Sequence, residues 1–281
     1  MARLGATVYG GGMTIHIALC APATPILPED LARAEALAGE YGVRLHAHPQ
    51  CYASAGHFAG SDAQRLEALL ECANDPAFDG VWFARGGYGS NRIAQAALAG
   101  MNAAARAKTY LGYSDMGYLL SGLYRAGIGR PCHGPMLADG RRVGGEAALR
   151  RALDFWRGGA EGLEPARDGA PVVAFNLMTL AMLAGTDLMP DLTGHVVMVE
   201  EVSEHLYAVD RLLFHVTAHL RGAAGIRLGR VSDVPENDRP FGAEPEEMVR
   251  HWCAQRDIPY LGAADIGHDA GNKIVCFGRW A

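Results

Sequence analysis

One stretch of the chain decides the fold: AKTYLGYSDMGYLLSGLYRAG at residues 107–127. Its first part, AKTYLGYSD (107–115), predicts a strand, and the overlapping DMGYLLSGLYRAG (115–127) predicts a helix that ends at Gly127. Ligands of α/β proteins bind where strands end and helices begin. The turn here carries Ser114, which is either a nucleophile or an ordinary helix cap.

Strand and helix patterns alternate along the first half of the chain. Strands are predicted at 13–22, 43–49 and 78–87, and helices at 28–42, 60–75 and 91–100. Alternation at this spacing predicts a parallel sheet with helices on both faces.

The composition of the sequence changes between about 139 and 170, where a helix pattern lies within a stretch rich in Gly, Arg and Asp. We interpret that stretch as a connection between two domains. Beyond it, the patterns predict helices at 207–223 and near 244–256, and a last pair of strands near 259–268 and 272–278. The predicted organisation is a nucleophile domain at 1–140, a connection at 141–170 and a smaller α+β domain at 171–281.

The composition excludes several classes of protein. The chain has 281 residues, of which 49% are hydrophobic, so it buries a sizeable core. Its net charge is −6 and its 25 Lys and Arg form no basic stripe, which excludes nucleic acid as a partner. No apolar run is long enough to span a bilayer, so we expect no membrane partner.

The N-terminal stretch and the cysteines indicate the cellular compartment in which we expect the protein. The first residues lack a sustained apolar segment before a small-residue cleavage site, so we expect no signal peptide, and we interpret Met13 as the functional start after a flexible leader. The six cysteines form no C-x-x-C pair, which excludes a zinc ribbon and a thioredoxin motif. We expect all six to be free structural thiols, and reduced thiols without a signal favour the cytoplasm.

The glycine-rich stretch ARGGYGSNR (84–92) follows a predicted strand. It is not a dinucleotide fingerprint, because Arg92 stands where the third glycine belongs, and no Gly-Lys-Ser/Thr follows to form a phosphate loop. Its small residues allow backbone N–H groups to approach an oxyanion or a carboxylate, although a plain tight turn explains the spacing equally well.

By its immediate neighbours, Ser114 fits a helix cap better than a hydrolase elbow. The elbow pattern G-x-S-x-G begins correctly at Gly112, but Met116 occupies the second glycine position. The two roles are compatible, because the dipole of the following helix favours negative charge that develops at its start.

An activated serine needs a base, and the base needs an orienting acid. His268, in IGHDAGN, ends a predicted strand before a polar turn, and Glu200 and Glu201 end the apolar strand HVVMVEE. Each of these three side chains is either displayed for function or an ordinary polar residue at a strand end.

Two other pairs of histidines have the spacing of metal ligands. His46 and His48 share one face of a predicted strand, where polar edge residues are the simpler explanation. His215 and His219 lie one helical turn apart, but HVTAH lacks the glutamate of H-E-x-x-H, which zinc peptidases use as a base. We therefore expect no metal.

Six blocks in order along the chain together resemble the LD-carboxypeptidase family of serine peptidases, the group of muropeptide LD-carboxypeptidases and microcin C self-immunity peptidases. The blocks are AGSDAQRLEALLECANDPAFDGVWFARGGYGSNRI (59–93), LGYSDMGYLL (111–120), CHGPM (132–136), NLMTLAMLAGT (176–186), MVEEVSEHLYAVDRLL (198–213) and DIGHDAGN (265–272). The resemblance implies an α/β fold with a Rossmann-like parallel-sheet N-terminal domain and a smaller β-rich α+β C-terminal domain.

The resemblance also implies a catalytic triad at the matching positions. Ser114 would be the nucleophile, His268 the general base and Glu200 the acid that orients it, with Glu201 as the alternative acid. The order Ser, Glu, His agrees with the usual order of α/β hydrolases. The serine would then come from one domain and its partners from the other.

Further site residues follow from the same resemblance. The backbone N–H groups of Gly87 and Asp115 would form the oxyanion hole. An exopeptidase must read a free carboxylate, and Arg85 or Arg92 beside the glycine loop is the candidate, although a surface salt bridge explains either arginine; Tyr88 is a further substrate-binding candidate. The implied substrate is a murein tetrapeptide cut between an L-centred diamino acid and D-Ala, without a cofactor, in a cytoplasmic homodimer.

Two departures from the family pattern stand out. Ala174-Phe175 replaces the usual Gly-Gly before the Asn-Leu pair, which puts the substrate in question, and Cys276 stands near the place of a usual proline. Neither position belongs to the implied triad.

Two alternatives stay open at the level of sequence. One keeps the triad but takes a peptidyl-nucleotide or acyl-sulfamoyl adenylate of the microcin kind, with Tyr88, Tyr113 or Trp82 as an aromatic platform for adenine. The other is a non-catalytic binding protein, which predicts that the three triad side chains lie outside hydrogen-bond reach of one another.

Overall fold

The computed structural model describes residues 14–165 and 169–279. The predicted leader and the start at Met13 lie outside the described residues, as do 166–168 of the predicted connection. Within these two ranges, no helix has the length and apolar character needed to cross a membrane.

The first sheet has six strands, and five of them are parallel. They are β1 (Ile15–Cys20), β2 (Val43–Ala47), β3 (Gly80–Phe83), β4 (Thr109–Gly112), β5 (Arg130–His133) and β10 (Val275–Cys276). Their order across the sheet is β10-β5-β4-β3-β1-β2, with β10 antiparallel to β5. The predicted parallel sheet is confirmed, and the serine turn follows β4 near its centre.

Helices connect these strands. They are α1 (Pro28–Ala38), α2 (Asp62–Asn74), α3 (Asn91–Gly100), α4 (Ala103–Arg106), α5 (Gly117–Ala126) and α6 (Gly145–Trp156). The start of α2 shows why the sequence forms it there, because the Ser61 side chain accepts a hydrogen bond from the Gln64 backbone while the Gln64 side chain accepts one from the Ser61 backbone. At the C-terminal end of α5, Gly127 adopts a left-handed conformation (φ +61°) and ends the helix.

The second sheet has four parallel strands with helices between them. The strands are β6 (Val172–Asn176), β7 (Val196–Val202), β8 (Gly225–Ser232) and β9 (Tyr260–Ala263), in the order β6-β7-β8-β9. The helices are α7 (Leu177–Leu183), α8 (Leu206–His219) and α9 (Pro245–Ala254). This separate sheet, smaller than the first, completes the α/β fold.

One apolar cluster contains side chains from both sheets. Buried side chains of α5, such as Leu119, lie in the same cluster as Leu180 of α7 and Leu213 of α8. A Cβ at Gly117 would lie 2.8 Å from the Thr179 Cγ2, so glycine at the start of α5 is needed for its close approach to α7. This approach brings the serine turn up to the second sheet.

The end of the chain returns to the first sheet. The predicted last pair of strands is wrong as a pair, because β9 joins β8 while β10 crosses back to β5. There Cys276 lies opposite Cys132, and a disulfide bond joins them across a sequence separation of 144. The prediction of six free thiols is therefore wrong for this pair, whose meeting depends on a long-range strand register, while the other four cysteines are free and buried. The domain bounds stay a prediction.

We predict that the Cys132–Cys276 bond stabilises the protein, because it closes a long loop in the unfolded chain. Replacing both cysteines by serine should lower the free energy of unfolding by about 2 to 5 kcal/mol. Thermal unfolding with and without dithiothreitol measures this, and only the parent should respond to the reductant. Titration of six rather than four thiols in the denatured, unreduced parent would contradict the bond.

Candidate active site

Ser114 lies in a strained turn between β4 and α5. It begins a single turn of 3₁₀ helix, Ser114–Met116, and has φ 60°, in the left-handed region that side chains other than glycine rarely adopt. Its hydroxyl makes its hydrogen bond to an imidazole and caps no helix backbone N–H, so the preference for a helix cap is wrong. The strained turn places the hydroxyl outside the helix.

The hydroxyl begins a chain of two hydrogen bonds. The Ser114 Oγ is 3.0 Å from the His268 Nε2, and the His268 Nδ1 is 2.6 Å from the Glu200 Oε2. Because a carboxylate only accepts, Nδ1 carries the proton and Nε2 is left to accept from the serine. This is the arrangement of an activated nucleophile with an oriented base, and its distances run against the non-catalytic alternative.

The surroundings shift the basicity of the imidazole. Burial lowers the pKa of His268, but the negative charge of Glu200 and its hydrogen bond outweigh burial, so the pKa lies above its ordinary value of 6.5. Glu200 is completely buried, and the His268 ring packs on the Tyr113 ring with centroids 4.8 Å apart. The buried carboxylate therefore stabilises the protonated imidazole.

Glu200 and Glu201 have different tasks, because adjacent residues of a strand point to opposite faces. The Glu201 carboxylate accepts hydrogen bonds from the Asn176 side chain at 2.7 Å and from the backbone N–H of Met178 at 2.8 Å, so it holds the start of α7. Burial raises its pKa against these hydrogen bonds, which lower it. Of the two acids, Glu200 is the one that contacts the imidazole.

A bulge in the second sheet makes room for Glu200. The pairing of β7 with β8 shifts between Val199 and Glu201, which leaves Glu200 beside Gly229. A Cβ at Gly229 would lie 2.9 Å from the Glu200 Cβ and 2.7 Å from the Ile266 carbonyl oxygen. Glycine is therefore required behind the buried acid.

His268 lies in a loop after β9, where the sequence predicted the end of a strand. The buried Asn272 side chain fixes this loop, since its Oδ1 accepts from the Gly267 N–H at 3.1 Å and lies 3.3 Å from the His133 Nε2. Arg151 donates to the carbonyl oxygens of Ala270 and Asn272 at 2.8 and 3.2 Å. Sequence reasoning missed both supporting residues, although Asn272 ends the quoted DIGHDAGN block.

The glycine loop 86–90 lies directly against the serine. The distance from a Cβ at Gly86 to the Ser114 Oγ would be 3.4 Å, and the Thr24 hydroxyl donates to the Gly86 carbonyl oxygen at 2.6 Å. Gly87 has φ 107°, and a Cβ there would lie 2.6 Å from the Thr24 Cγ2. The loop is thus held by Thr24 at a distance where only glycine fits.

Asp115 holds the same loop from the other side. Its carboxylate accepts from the backbone N–H groups of Gly89 at 3.2 Å and Ser90 at 2.9 Å, and its own carbonyl oxygen accepts from the Ser90 hydroxyl at 2.6 Å. Burial raises the pKa of Asp115, although these hydrogen bonds oppose the rise. The residue after the serine therefore sets the distance between the glycine loop and the turn.

The two arginines that the sequence proposed as carboxylate readers have protein partners. Arg92 pairs with the exposed Asp62 through Nε at 2.9 Å and through Nη2 at 2.8 Å. The Arg85 Nη1 donates to the Pro25 carbonyl oxygen at 3.0 Å. For Arg92, the surface salt bridge that the sequence left open is what the structure contains.

The three aromatic residues proposed as a platform for adenine differ in their burial. Tyr88 is exposed beside His57 and Phe58. Trp82 is buried and donates to the Pro135 carbonyl oxygen, while Tyr113 is buried and donates to the Asp139 carboxylate at 2.9 Å. Only Tyr88 of the three therefore offers a ring to a ligand in solution.

The two histidine pairs stand apart from this site. His46 Nε2 lies 3.0 Å from the Nδ1 of His16, while His48 contacts Glu71. The rings of His215 and His219 have centroids 4.7 Å apart. Across the described ranges, no three His, Cys, Asp or Glu side chains are grouped to hold a metal ion.

Comparison with known proteins gives the chain its family. The model of the LD-carboxypeptidase N-terminal domain matches residues 17–134, and that of the C-terminal domain matches residues 170–281. The murein tetrapeptide carboxypeptidase of Pseudomonas aeruginosa is 27% identical, with 95% of this chain and 92% of that protein covered.

Solved structures share the fold. The muramoyltetrapeptide carboxypeptidase of Oxalobacter formigenes superimposes with a TM-score of 0.78 at 24% identity, over 94% of this chain and 92% of that one. The microcin C7 self-immunity protein in its wild-type apo state does so with a TM-score of 0.73 at 17% identity, over 96% and 97%. Because the two family models span most of the chain, the protein belongs to the LD-carboxypeptidase family of serine peptidases and is a hydrolase that acts as a carboxypeptidase.

Proposed function

We propose that this protein removes the terminal D-Ala of murein tetrapeptides by cutting the bond to the preceding L-centred diamino acid. The observation that carries the proposal is the unbroken contact of Ser114, His268 and Glu200, at 3.0 and 2.6 Å, in a chain of the carboxypeptidase family. Relatives named murein tetrapeptide carboxypeptidase and probable murein peptide carboxypeptidase support the substrate class.

In the proposed reaction, the Ser114 Oγ attacks the carbonyl carbon of the scissile bond while its proton passes to the His268 Nε2. Glu200 stays ionised and stabilises the imidazolium. The imidazolium then gives its proton to the leaving amine, so that D-Ala departs and the peptide remains as an ester on Ser114. Water, deprotonated by the same imidazole, hydrolyses the ester and restores the serine.

The oxyanion of the tetrahedral intermediate needs donors beside the serine. We assign the backbone N–H groups of Gly87 and Asp115, because the glycine loop lies against Ser114 and is held there by Thr24 and by the Asp115 carboxylate. Each such donor contributes on the order of 3 kcal/mol to transition-state stabilisation. No step of the proposed reaction uses a metal or an organic cofactor.

The microcin-type substrate is the second candidate. Structural likeness to the microcin C7 self-immunity protein and the exposed ring of Tyr88 favour it. With Trp82 and Tyr113 buried, however, only one of the three proposed aromatic rings is available to stack on a nucleobase, so we favour the peptide.

We place the reaction in the cytoplasm and the enzyme in a homodimer, because the family resemblance implies both. The Cys132–Cys276 disulfide is the observation that opposes a reducing compartment. Cell fractionation decides the first point, and sedimentation velocity of the purified protein decides the second.

We predict that Ser114→Ala abolishes release of D-Ala, with kcat at least about 10³-fold below the parent because the nucleophile is gone. Product analysis by mass spectrometry on a panel of murein tetrapeptides, tripeptides and an aminoacyl-sulfamoyl adenosine measures this and ranks the substrate classes. Thermal unfolding is the control for folding. D-Ala release by the variant near the parent rate would end the proposal.

We predict an acidic limb in the pH profile of kcat/KM with its midpoint above pH 6.5, because the base must be neutral and the pKa of His268 is raised. Glu200→Gln removes the charge that raises this pKa, while burial still lowers it. The limb should therefore move to lower pH, and kcat should fall by about 10²- to 10⁴-fold.

The matched control for this profile is Glu201→Gln, the neighbouring acid that contacts Asn176 rather than the imidazole. It should leave the acidic limb in place. A limb that moves with Glu201→Gln and not with Glu200→Gln would assign the acid wrongly.

A further inference from the structure

A third arginine, Arg142, lies beside the proposed catalytic groups and was not singled out by the sequence. It stands in the loop between the 3₁₀ turn Leu137–Arg141 and α6, with 38% of its side chain exposed. The Arg142 Nε donates to the Asp139 Oδ1 at 3.0 Å. The guanidinium is thus anchored by one edge while part of it remains open to solvent.

The anchor is itself rigid and connected to the active site. Asp139 is buried, and its carboxylate also accepts from the Tyr113 hydroxyl at 2.9 Å and from the Met136 N–H at 2.8 Å. Tyr113 directly precedes Ser114 and packs on the His268 ring. Two residues, Asp139 and Tyr113, therefore connect Arg142 to the imidazole, and they orient the guanidinium before any ligand binds.

The remaining donors of Arg142 are available to a ligand. Besides the Nε bond to Asp139, the guanidinium interacts with the Tyr113 hydroxyl. A guanidinium carries five N–H donors, so these two partners leave N–H groups for a ligand on the exposed part of the side chain. Two parallel N–H groups on one edge match the two oxygens of a carboxylate. Arg92, by contrast, gives Nε and Nη2 to Asp62.

The chemistry of the leaving group says on which side its carboxylate must lie. His268 has to protonate the leaving amine, so the terminal residue of the substrate sits next to the imidazole, and its carboxylate is only two bonds beyond that amine. Arg142 lies on the Tyr113 side of His268. Arg151 contacts the loop that carries His268, where it donates to backbone carbonyl oxygens and adds positive charge.

We propose that Arg142 binds the terminal carboxylate of the peptide substrate and so makes this enzyme an exopeptidase. The proposal rests on the proposed function. It assigns to Arg142 the task that the sequence gave as alternatives to Arg85 or Arg92.

The test compares a peptide that ends in a free carboxylate with its C-terminal amide. The parent should prefer the acid, and Arg142→Gln should lose about 10- to 100-fold in kcat/KM on the acid with little change on the amide, because two charge-assisted hydrogen bonds are lost. Arg142→Lys keeps the charge without the paired geometry and should fall between the two. Arg85→Gln and Arg92→Gln are matched controls that should keep the preference of the parent.

Binding separates this proposal from the proposed function. Calorimetry with the Ser114→Ala protein compares the affinities of the acid and the amide without cleavage, alone and combined with Arg142→Gln. A preference for the acid that Arg142→Gln removes supports the proposal, even if the parent releases no D-Ala. An acid-to-amide ratio unchanged by Arg142→Gln, or one that is lost with Arg85→Gln or Arg92→Gln instead, overturns it.

Discussion

The hydrogen bond between the buried Glu200 carboxylate and the His268 ring is the interaction on which the site depends. A completely buried carboxylate is costly unless it is paired, and at 2.6 Å the imidazole supplies the partner of one of its two oxygens. That bond fixes which ring nitrogen carries the proton and so makes the other nitrogen an acceptor for Ser114. The sheet bulge and Gly229 lie beside this acid and leave the space that its side chain needs.

The rest of the fold brings the serine turn and the histidine loop to the strand that carries Glu200. The serine turn reaches the second sheet because α5 approaches α7 closely at Gly117. The histidine loop is held by Asn272 and Arg151, and a few residues later β10 anchors the chain to β5 of the first sheet. Each sheet thus contributes residues to the site, and β10 joins the end of the chain to the first sheet.

Much of the fold could be predicted from local pattern. The predicted helix at 91–100 coincides with α3, and the serine turn was placed correctly between a strand and a helix. Errors arose where distant contacts decide the outcome. Local pattern favours a cap for Ser114 because its partner His268 lies 154 residues away, and it predicts six free thiols because the register of β10 on β5 leaves no local signal.

By itself the sequence determined the alternation of strands and helices in the first half of the chain, the turn that holds Ser114 and the blocks that carry Glu200 and His268, because backbone preferences and apolar periodicity are local properties. Tertiary structure decided the rest. It set which of two adjacent acids faces the imidazole, since strand neighbours point to opposite sides. It also set how each guanidinium is held, since Asp62 engages Arg92 through two nitrogens while Asp139 and Tyr113 hold Arg142. Such contacts join residues far apart in the chain and arise only when the elements pack.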